Sequence, residues 1–160
     1  MPTGPRFLLP HACYHIITRG NQRQEVFLDQ KDYTRYLTKL KYYKGRYSFL
    51  LYGFCLMPNH VHIIGQSKEN GNLAKFMQGL NRSYTAHFNK RYKKTGHLWQ
   101  GRFKSKVIAK DGYLVDCIQY IEHNPMRANL AKTAAEYPWS SYRERALAKD
   151  DNNLLDELHL

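Results

Sequence analysis

The feature that most narrows the fold is a pair of apolar runs, "SFLLYGFCLM" and "HVHIIGQ", separated only by Pro58 and Asn59. Two such runs, rich in aromatic and β-branched residues and joined by turn-forming residues, read as the strands of a hairpin. The second strand opens with two histidines one residue apart, His60 and His62. Alternate side chains leave a strand by the same face, so both imidazoles stand together. They are either half of a metal site or two partly exposed histidines, and spacing alone does not choose.

The flanking sequence supplies the rest of a sheet. "CYHIIT" alternates and reads as a strand, followed by the polar turn "RGNQRQ". Asp29 then N-caps a helix reaching about Tyr47, with Tyr33, Tyr36, Leu37, Leu40 and Tyr43 on one stripe. A second helix runs from about Leu73 to Tyr92, with Phe76, Met77, Leu80, Tyr84 and Phe88 recurring at helical spacing. The loop "KKTGHLWQGRF" leads into a short fourth strand, "KSKVIA". Asp111 opens a third helix with Leu114, Cys117, Ile118 and Ile121 as its buried stripe, and Pro125 ends or kinks it just beyond Asn124. A last short helix and an irregular acidic end follow.

Strand, helix, strand, strand, helix, strand is the order of the ferredoxin-like split βαβ arrangement. The expected class is therefore α+β: an antiparallel sheet with helices on one face, plus an added C-terminal helix. With 160 residues and no linker, repeat or low-complexity segment, residues 1–145 are expected to form one domain and 146–160 an acidic tail. Such a fold hosts many functions, so it does not by itself indicate one.

Charge supplies the first clue to a partner. Lys and Arg outnumber Asp and Glu by 25 to 13, a formal net charge of +12. From Asn70 to Lys110 there are ten Lys and Arg and no acid, while the last eleven residues, "DDNNLLDELHL", hold four acids. Without that end the balance is 25 against 9, and such a basic body suggests a polyanion partner. Three scattered cysteines, Cys13, Cys55 and Cys117, with no CxxC pair, fit a reducing compartment. The longest apolar run is about half of what crossing a bilayer needs, and prolines interrupt "MPTGPRFLLPHAC" where a signal peptide needs a continuous segment. A cytoplasmic protein with no membrane partner is expected.

The chemistry opposite the histidine pair lies in "DGYLVDCIQYIEHNP". Tyr113, Tyr120 and Asn124 share a helix face, being close to whole turns apart, while Ile118 and Ile121 point to the core. A phenol there, with Asn124 as an oxygen donor to a cation, makes a candidate nucleophile. Spacing does not separate Tyr113 from Tyr120. In the basic window Arg82, Lys90, Arg91, Lys93, Lys94, Arg102 and Lys104 interleave with aromatic residues, a composition that neutralises phosphates and stacks unpaired bases. Several of those aromatics belong to the core; Trp99 and Arg102, in a loop, are the better candidates for contact.

Four stretches, "LMPNHVHII", "YTAHFNKRYKKTGHLWQGRFKS", "YIEHNPMRANLA" and "YPWSSYR", stand in the order found in REP-associated tyrosine transposases. These belong to the HUH single-tyrosine transposases and nucleases, and the chain resembles them from about Tyr14 to Arg143. The resemblance implies a divalent-metal-dependent enzyme that nicks and rejoins single-stranded or hairpin DNA through a 5′-phosphotyrosine. It implies His60, His62 and Asn124 as ligands of Mg²⁺ or Mn²⁺ and Tyr120, rather than Tyr113, as nucleophile. DNA contacts are expected over Arg82 to Lys106, Lys104 and Lys106 included, and around Arg19 and Arg23. Relatives include both dimers and monomers, so a homodimer and a monomer are both open.

The chain also departs from the family's Tyr-Ile-His-x-Asn-Pro motif. The motif's histidine is Glu122 here, and His123 follows it, rotated by about 100° on a helix. Glu122 beside a phosphate would repel it unless it points away or helps hold a cation. The acidic tail either competes for the basic surface or is a disordered end. Two rivals remain: a non-catalytic module that binds structured nucleic acid, and a metal-dependent phosphodiesterase that uses water and leaves no adduct.

Overall fold

Alternating apolar residues in "CYHIIT" build β1 (Cys13–Arg19), which lies inside the sheet and pairs antiparallel with two neighbours. The computed structural model describes residues 8–9, 11–68, 72–109, 112–148 and 153–158. Along the chain β1 is followed by α1 (Gln30–Arg46), β2 (Phe49–Met57), β3 (His60–Ser67), α2 (Leu73–Tyr92) and β4 (Lys104–Ile108). The added elements are α3 (Gly112–Glu122), α4 (Asn124–Arg127) and α5 (Tyr142–Leu147). The sheet order is β2-β3-β1-β4 with every pair antiparallel, the arrangement expected of a split βαβ fold. The expected opener of α3, Asp111, lies outside the described residues.

Local chemistry sets the boundaries. Asp29 accepts from Asp32 N and Asn72 from Lys75 N, so each caps its helix, a contribution of about 1 kcal/mol apiece. Pro58 and Asn59 make the tight β2–β3 connection, with Met57 paired to His60 across it. The turn is held in place because Val26 N donates to Pro58 O at 2.8 Å and Gly20 N to Asn59 O at 2.8 Å. α3 stops at Glu122 and α4 restarts at Asn124. The break falls at His123, earlier than the expected point beyond Asn124, where Pro125 has no N–H to donate to Ile121 O.

Each face of the sheet has its own core. α1 and α2 cover one face, where Ile16, Tyr36, Leu40, Phe54, Phe76 and Tyr84 are among the buried residues. α3 covers part of the other, with Leu114, Ile118 and Ile121 packed on Cys13, Cys55 and Ile64. Gly53 permits that approach: a Cβ there would lie 3.1 Å from Ile118 Cγ2. The strand is also irregular at this point, with a register shift between Leu51 and Gly53. Cys117 is half-buried rather than part of the buried stripe, since it faces a cleft described below.

One of the readings left open for Glu122 holds, while both readings of the acidic tail are corrected. Glu122 points away from solvent, into the core. It is fully buried, accepts from Ser141 Oγ at 2.5 Å and is paired with Arg145, so it ties α3 to α5. The tail is also structured over its described part. Leu154 is fully buried, and Leu51 N donates to Asp156 Oδ2 at 2.9 Å while Asp156 N donates to Leu51 O at 2.8 Å. Lys44 closes an ion pair with Asp156 at 2.7 Å. Residues 139–141 continue the cover, with Leu56 N on Trp139 O at 2.8 Å and Phe54 N on Ser141 Oγ at 3.0 Å. These segments occupy the outer edge of β2, which would otherwise expose unpaired backbone groups.

The Glu122–Arg145 pair makes a checkable stability claim. Arg145→Ala leaves a carboxylate buried without its counter-charge and is expected to destabilise by about 3 kcal/mol, read as a lowered urea midpoint. The double replacement Glu122→Leu with Arg145→Leu should recover most of that. An unchanged midpoint in Arg145→Ala would show that the pair does not hold α3 in place.

Candidate active site and nucleic-acid interface

His60 and His62 leave β3 on the face that α3 partly covers, and long-range pairing decides what surrounds them. Directly paired residues share a face. Arg19 pairs with His60 and Ile17 with His62, while Lys104 pairs with Ile17 and Lys106 with His15. His15, which sequence reasoning passed over, therefore joins the pair: its Nε2 lies 2.9 Å from His62 Nδ1. On its other side, His62 Nε2 lies 3.3 Å from Asn124 Nδ2.

One tautomer satisfies both contacts. Asn124 Nδ2–H donates to His62 Nε2, and His62 Nδ1–H donates to His15 Nε2. His60 behaves alike, its Nδ1–H donating to Asn59 Oδ1 at 2.7 Å. Both imidazoles thus use Nδ1 for a supporting hydrogen bond and keep an Nε2 lone pair, the arrangement that orients ligating histidines. Burial, helped by the charge of Arg19, lowers the pKa of His60 to about 4. Burial again dominates at His62, with His60 and His15 adding to it, and lowers its pKa to about 3. Burial and Lys106 also lower His15. The rings are neutral at pH 7, the form that binds metal.

The donor set fits a divalent cation. Among the described residues no group of three His, Cys, Asp or Glu side chains forms an ion site, and the side chain beside His62 that could add an oxygen donor is the Asn124 amide. Rotating the Asn124 amide by 180°, an assignment set only by its hydrogen bonds, brings its oxygen toward His62 Nε2. Two imidazole nitrogens and one amide oxygen suit Mn²⁺ and leave room for Mg²⁺ with water.

α3 places Tyr120 one turn before Asn124, with its side chain 60% exposed. Arg127, a second residue missed in the sequence, organises this corner. Its guanidinium carbon stands 3.8 Å from the centre of the Tyr120 ring, and Nη2 donates to Tyr120 O at 2.5 Å. A weaker contact reaches Asn124 Oδ1 at 3.4 Å. Tyr113 is also exposed, at 52%, and shares with Tyr120 a cleft of about 340 Å³ between α3 and β4.

The expected DNA-contact residues fall into two groups. Arg19, Lys104 and Lys106 are exposed and ring the histidine pair on its own face, with Arg23 exposed on the neighbouring turn. Arg82, Lys90, Arg91, Lys93 and Lys94 belong to α2 and its end, on the opposite side of the sheet. Lys90 and Arg91 line a groove of about 1100 Å³ between α1 and α2. Arg91 there is bound to Asp29 at 2.5 Å and Asp32 at 2.7 Å, so much of its charge is already compensated. Arg102 is exposed in the loop.

Trp99 requires a correction. It is buried, its indole N–H donates to Asn81 O at 3.3 Å, and its ring packs with Tyr36 and Tyr84. The loop is strapped to β1 through Asn21 N on Leu98 O at 2.8 Å and Gln100 N on Arg19 O at 2.7 Å. That strap turns the indole inward, into the core.

The lowered histidine pKa values give a pH dependence for the metal-free protein. Unfolded histidine titrates near 6.5, whereas His60 and His62 resist protonation until about 4 and about 3. Below pH 6.5 the unfolded chain binds more protons, so stability is present above that pH and declines as pH falls toward 3. Urea midpoints from pH 7 to 4 should fall, and His62→Gln should flatten the slope. An unchanged slope in that variant would contradict the assignment.

Residues 9–124 match the family described as IS200-like transposases. A Haemophilus influenzae protein assigned as a REP-associated tyrosine transposase is 29% identical over 114 residues, covering 64% of this chain and 64% of that protein. The chain thus spans less than two thirds of that relative's length. The solved structure of a REP-associated tyrosine transposase bound to a REP hairpin matches with a TM-score of 0.72 at 17% identity, over 100% of this chain and 92% of that one. A Deinococcus radiodurans protein assigned as a transposase matches with a TM-score of 0.52 at 18% identity, over 77% and 97%. At these identities the structural likeness is one of fold. No described helix is long and apolar enough to cross a membrane.

Proposed function

The chain belongs to the IS200-like transposase family, and on that premise we propose that it nicks and rejoins single-stranded hairpin DNA by tyrosine transesterification. The observation that carries this reading is the 3.3 Å approach of Asn124 to His62. It joins α4, which follows directly on the helix that bears the exposed tyrosine, to the strand that bears the histidine pair. His60 Nε2, His62 Nε2 and the Asn124 amide oxygen would hold Mg²⁺ or Mn²⁺, which when bound withdraws charge from the scissile phosphate.

Tyr120 Oη, its proton released to solvent, attacks the phosphorus in this scheme. The bond to the 3′ oxygen breaks, that oxygen takes up a proton, and a 5′-phosphotyrosine remains. Attack on the adduct by another strand's 3′-hydroxyl reverses the step and frees Tyr120. One phosphoester replaces another throughout, so no external energy source is needed. Arg127 fixes the phenol ring by stacking and keeps a positive charge beside it. Arg19, Lys104 and Lys106 neutralise the backbone on either side. Hairpin DNA is the proposed partner because the structurally similar REP-associated transposase is bound to a REP hairpin.

The test is a denaturing gel of labelled single-stranded hairpins with varied flanks, incubated with Mg²⁺ or Mn²⁺. The expected product is a protein-linked DNA band that chelator removes. Cleaved DNA with no linked protein would move the reading to hydrolysis by water. Tight, salt-sensitive binding with neither product would favour the binding module.

A further inference from the structure

The cleft between α3 and β4 holds one residue that a phosphate-binding surface does not want. Ile108 and Cys117 form apolar walls, and Tyr113 and Tyr120 add aromatic rings. Asp116, one turn before Tyr120, is exposed and lines the same cleft. A carboxylate this near a scissile phosphate repels it, in a chain whose formal net charge is +12. The position makes sense if the carboxylate reads a base instead.

A cleft of about 340 Å³ lies at the lower end of small-ligand sites, and its apolar and aromatic lining suits the faces of a base. A carboxylate accepts hydrogen bonds and donates none. Guanine presents N1–H and N2–H side by side on its Watson–Crick edge, so two donors meet two carboxylate oxygens. Adenine, cytosine and thymine each place an acceptor next to their donor, which a carboxylate repels. Lys106, on the same lining, supplies a cation suited to guanine O6.

We infer that the cleft takes an unpaired guanine of the DNA strand, next to the phosphate that Tyr120 attacks, with Asp116 accepting from N1–H and N2–H. This rests on the proposed DNA-nicking function and adds a base preference to it. The test uses Tyr120→Phe protein without divalent ion, so no turnover occurs. Probes are oligo(dT) strands of about ten nucleotides, a length that spans single-strand sites. Each carries one central guanine, adenine, cytosine or hypoxanthine, and affinity is read by fluorescence anisotropy.

The guanine strand should bind about tenfold more tightly than the adenine, cytosine and all-thymine strands, the scale of one bidentate base contact. Hypoxanthine, which lacks the 2-amino group, should lose most of that gain. Asp116→Asn, whose amide offers one donor and one acceptor, should lose the guanine preference and favour adenine. Equal binding of all strands, no binding of any strand, or a guanine preference that survives Asp116→Asn overturns the inference. Thermal melts confirm that the variants are folded. The preference is measured without a covalent step, so it stands or falls separately from the protein-linked band that tests nicking.

Discussion

Tyr120→Phe is expected to eliminate the protein-linked DNA product and to lower nicking by at least about 10⁴-fold, the scale of losing a nucleophile. Hairpin affinity should stay within about twofold, because the phosphates are met by cations that the change leaves in place. Phenylalanine also keeps the ring on which Arg127 stacks, so the corner of the site persists. Tyr113→Phe is the informative control. It removes a phenol from the same cleft, yet Tyr113 stands two turns before Tyr120 on α3, farther from the Asn124–His62 contact, and nicking should be retained. Loss of the adduct in Tyr113→Phe but not in Tyr120→Phe would reverse the assignment.

The second large effect is expected at His62. Its Nε2 meets Asn124 and its Nδ1 meets His15, so His62→Ala removes a proposed ligand and the contact of α4 with β3. Nicking should fall by roughly 1,000-fold, corresponding to about 4 kcal/mol of lost charge stabilisation. Mn²⁺ binding measured by calorimetry should fall with it. His15→Ala removes only the support and should weaken Mn²⁺ binding by about 10–100-fold. His15→Gln, which can accept from His62 Nδ1–H, should restore part of that. Undiminished Mn²⁺ binding in His62→Ala would place the ion elsewhere.

The parts of the fold that were legible in the sequence are those set by local period. α2 spans Leu73–Tyr92, the range its apolar spacing marks, and Asp29 caps α1 as its position predicts. The β2–β3 hairpin follows from two apolar runs and one turn, and the side-by-side histidines follow from the strand period. His15 and Arg127 were not legible in the same way. His15 meets His62 only through the β1–β3 register, which neither segment encodes alone. Arg127 reaches Tyr120 because the chain breaks at His123 and restarts as α4.

Trp99 shows the opposite failure. An aromatic in a basic loop looks like a stacking platform, but the strap to β1 buries it. Glu122 is similar. Its place two residues after Tyr120 in sequence left open whether it repels a phosphate, helps hold a cation or points away, and Ser141 and Arg145, about twenty residues on, draw it into the core. The acidic tail was read by composition alone, and composition does not show that Asp156 fits the irregular edge of β2.

The most direct test of the central claim is the site of the covalent bond. Wild-type protein is incubated with a hairpin strand and Mn²⁺, quenched in denaturant, digested with nuclease and protease, and its peptides are analysed by mass spectrometry. The expected result is a nucleotide residue linked through phosphate to Tyr120, absent when chelator is present. A nucleotide on Tyr113 or another residue, or nicked DNA with every tyrosine peptide unmodified, would contradict tyrosine transesterification at Tyr120.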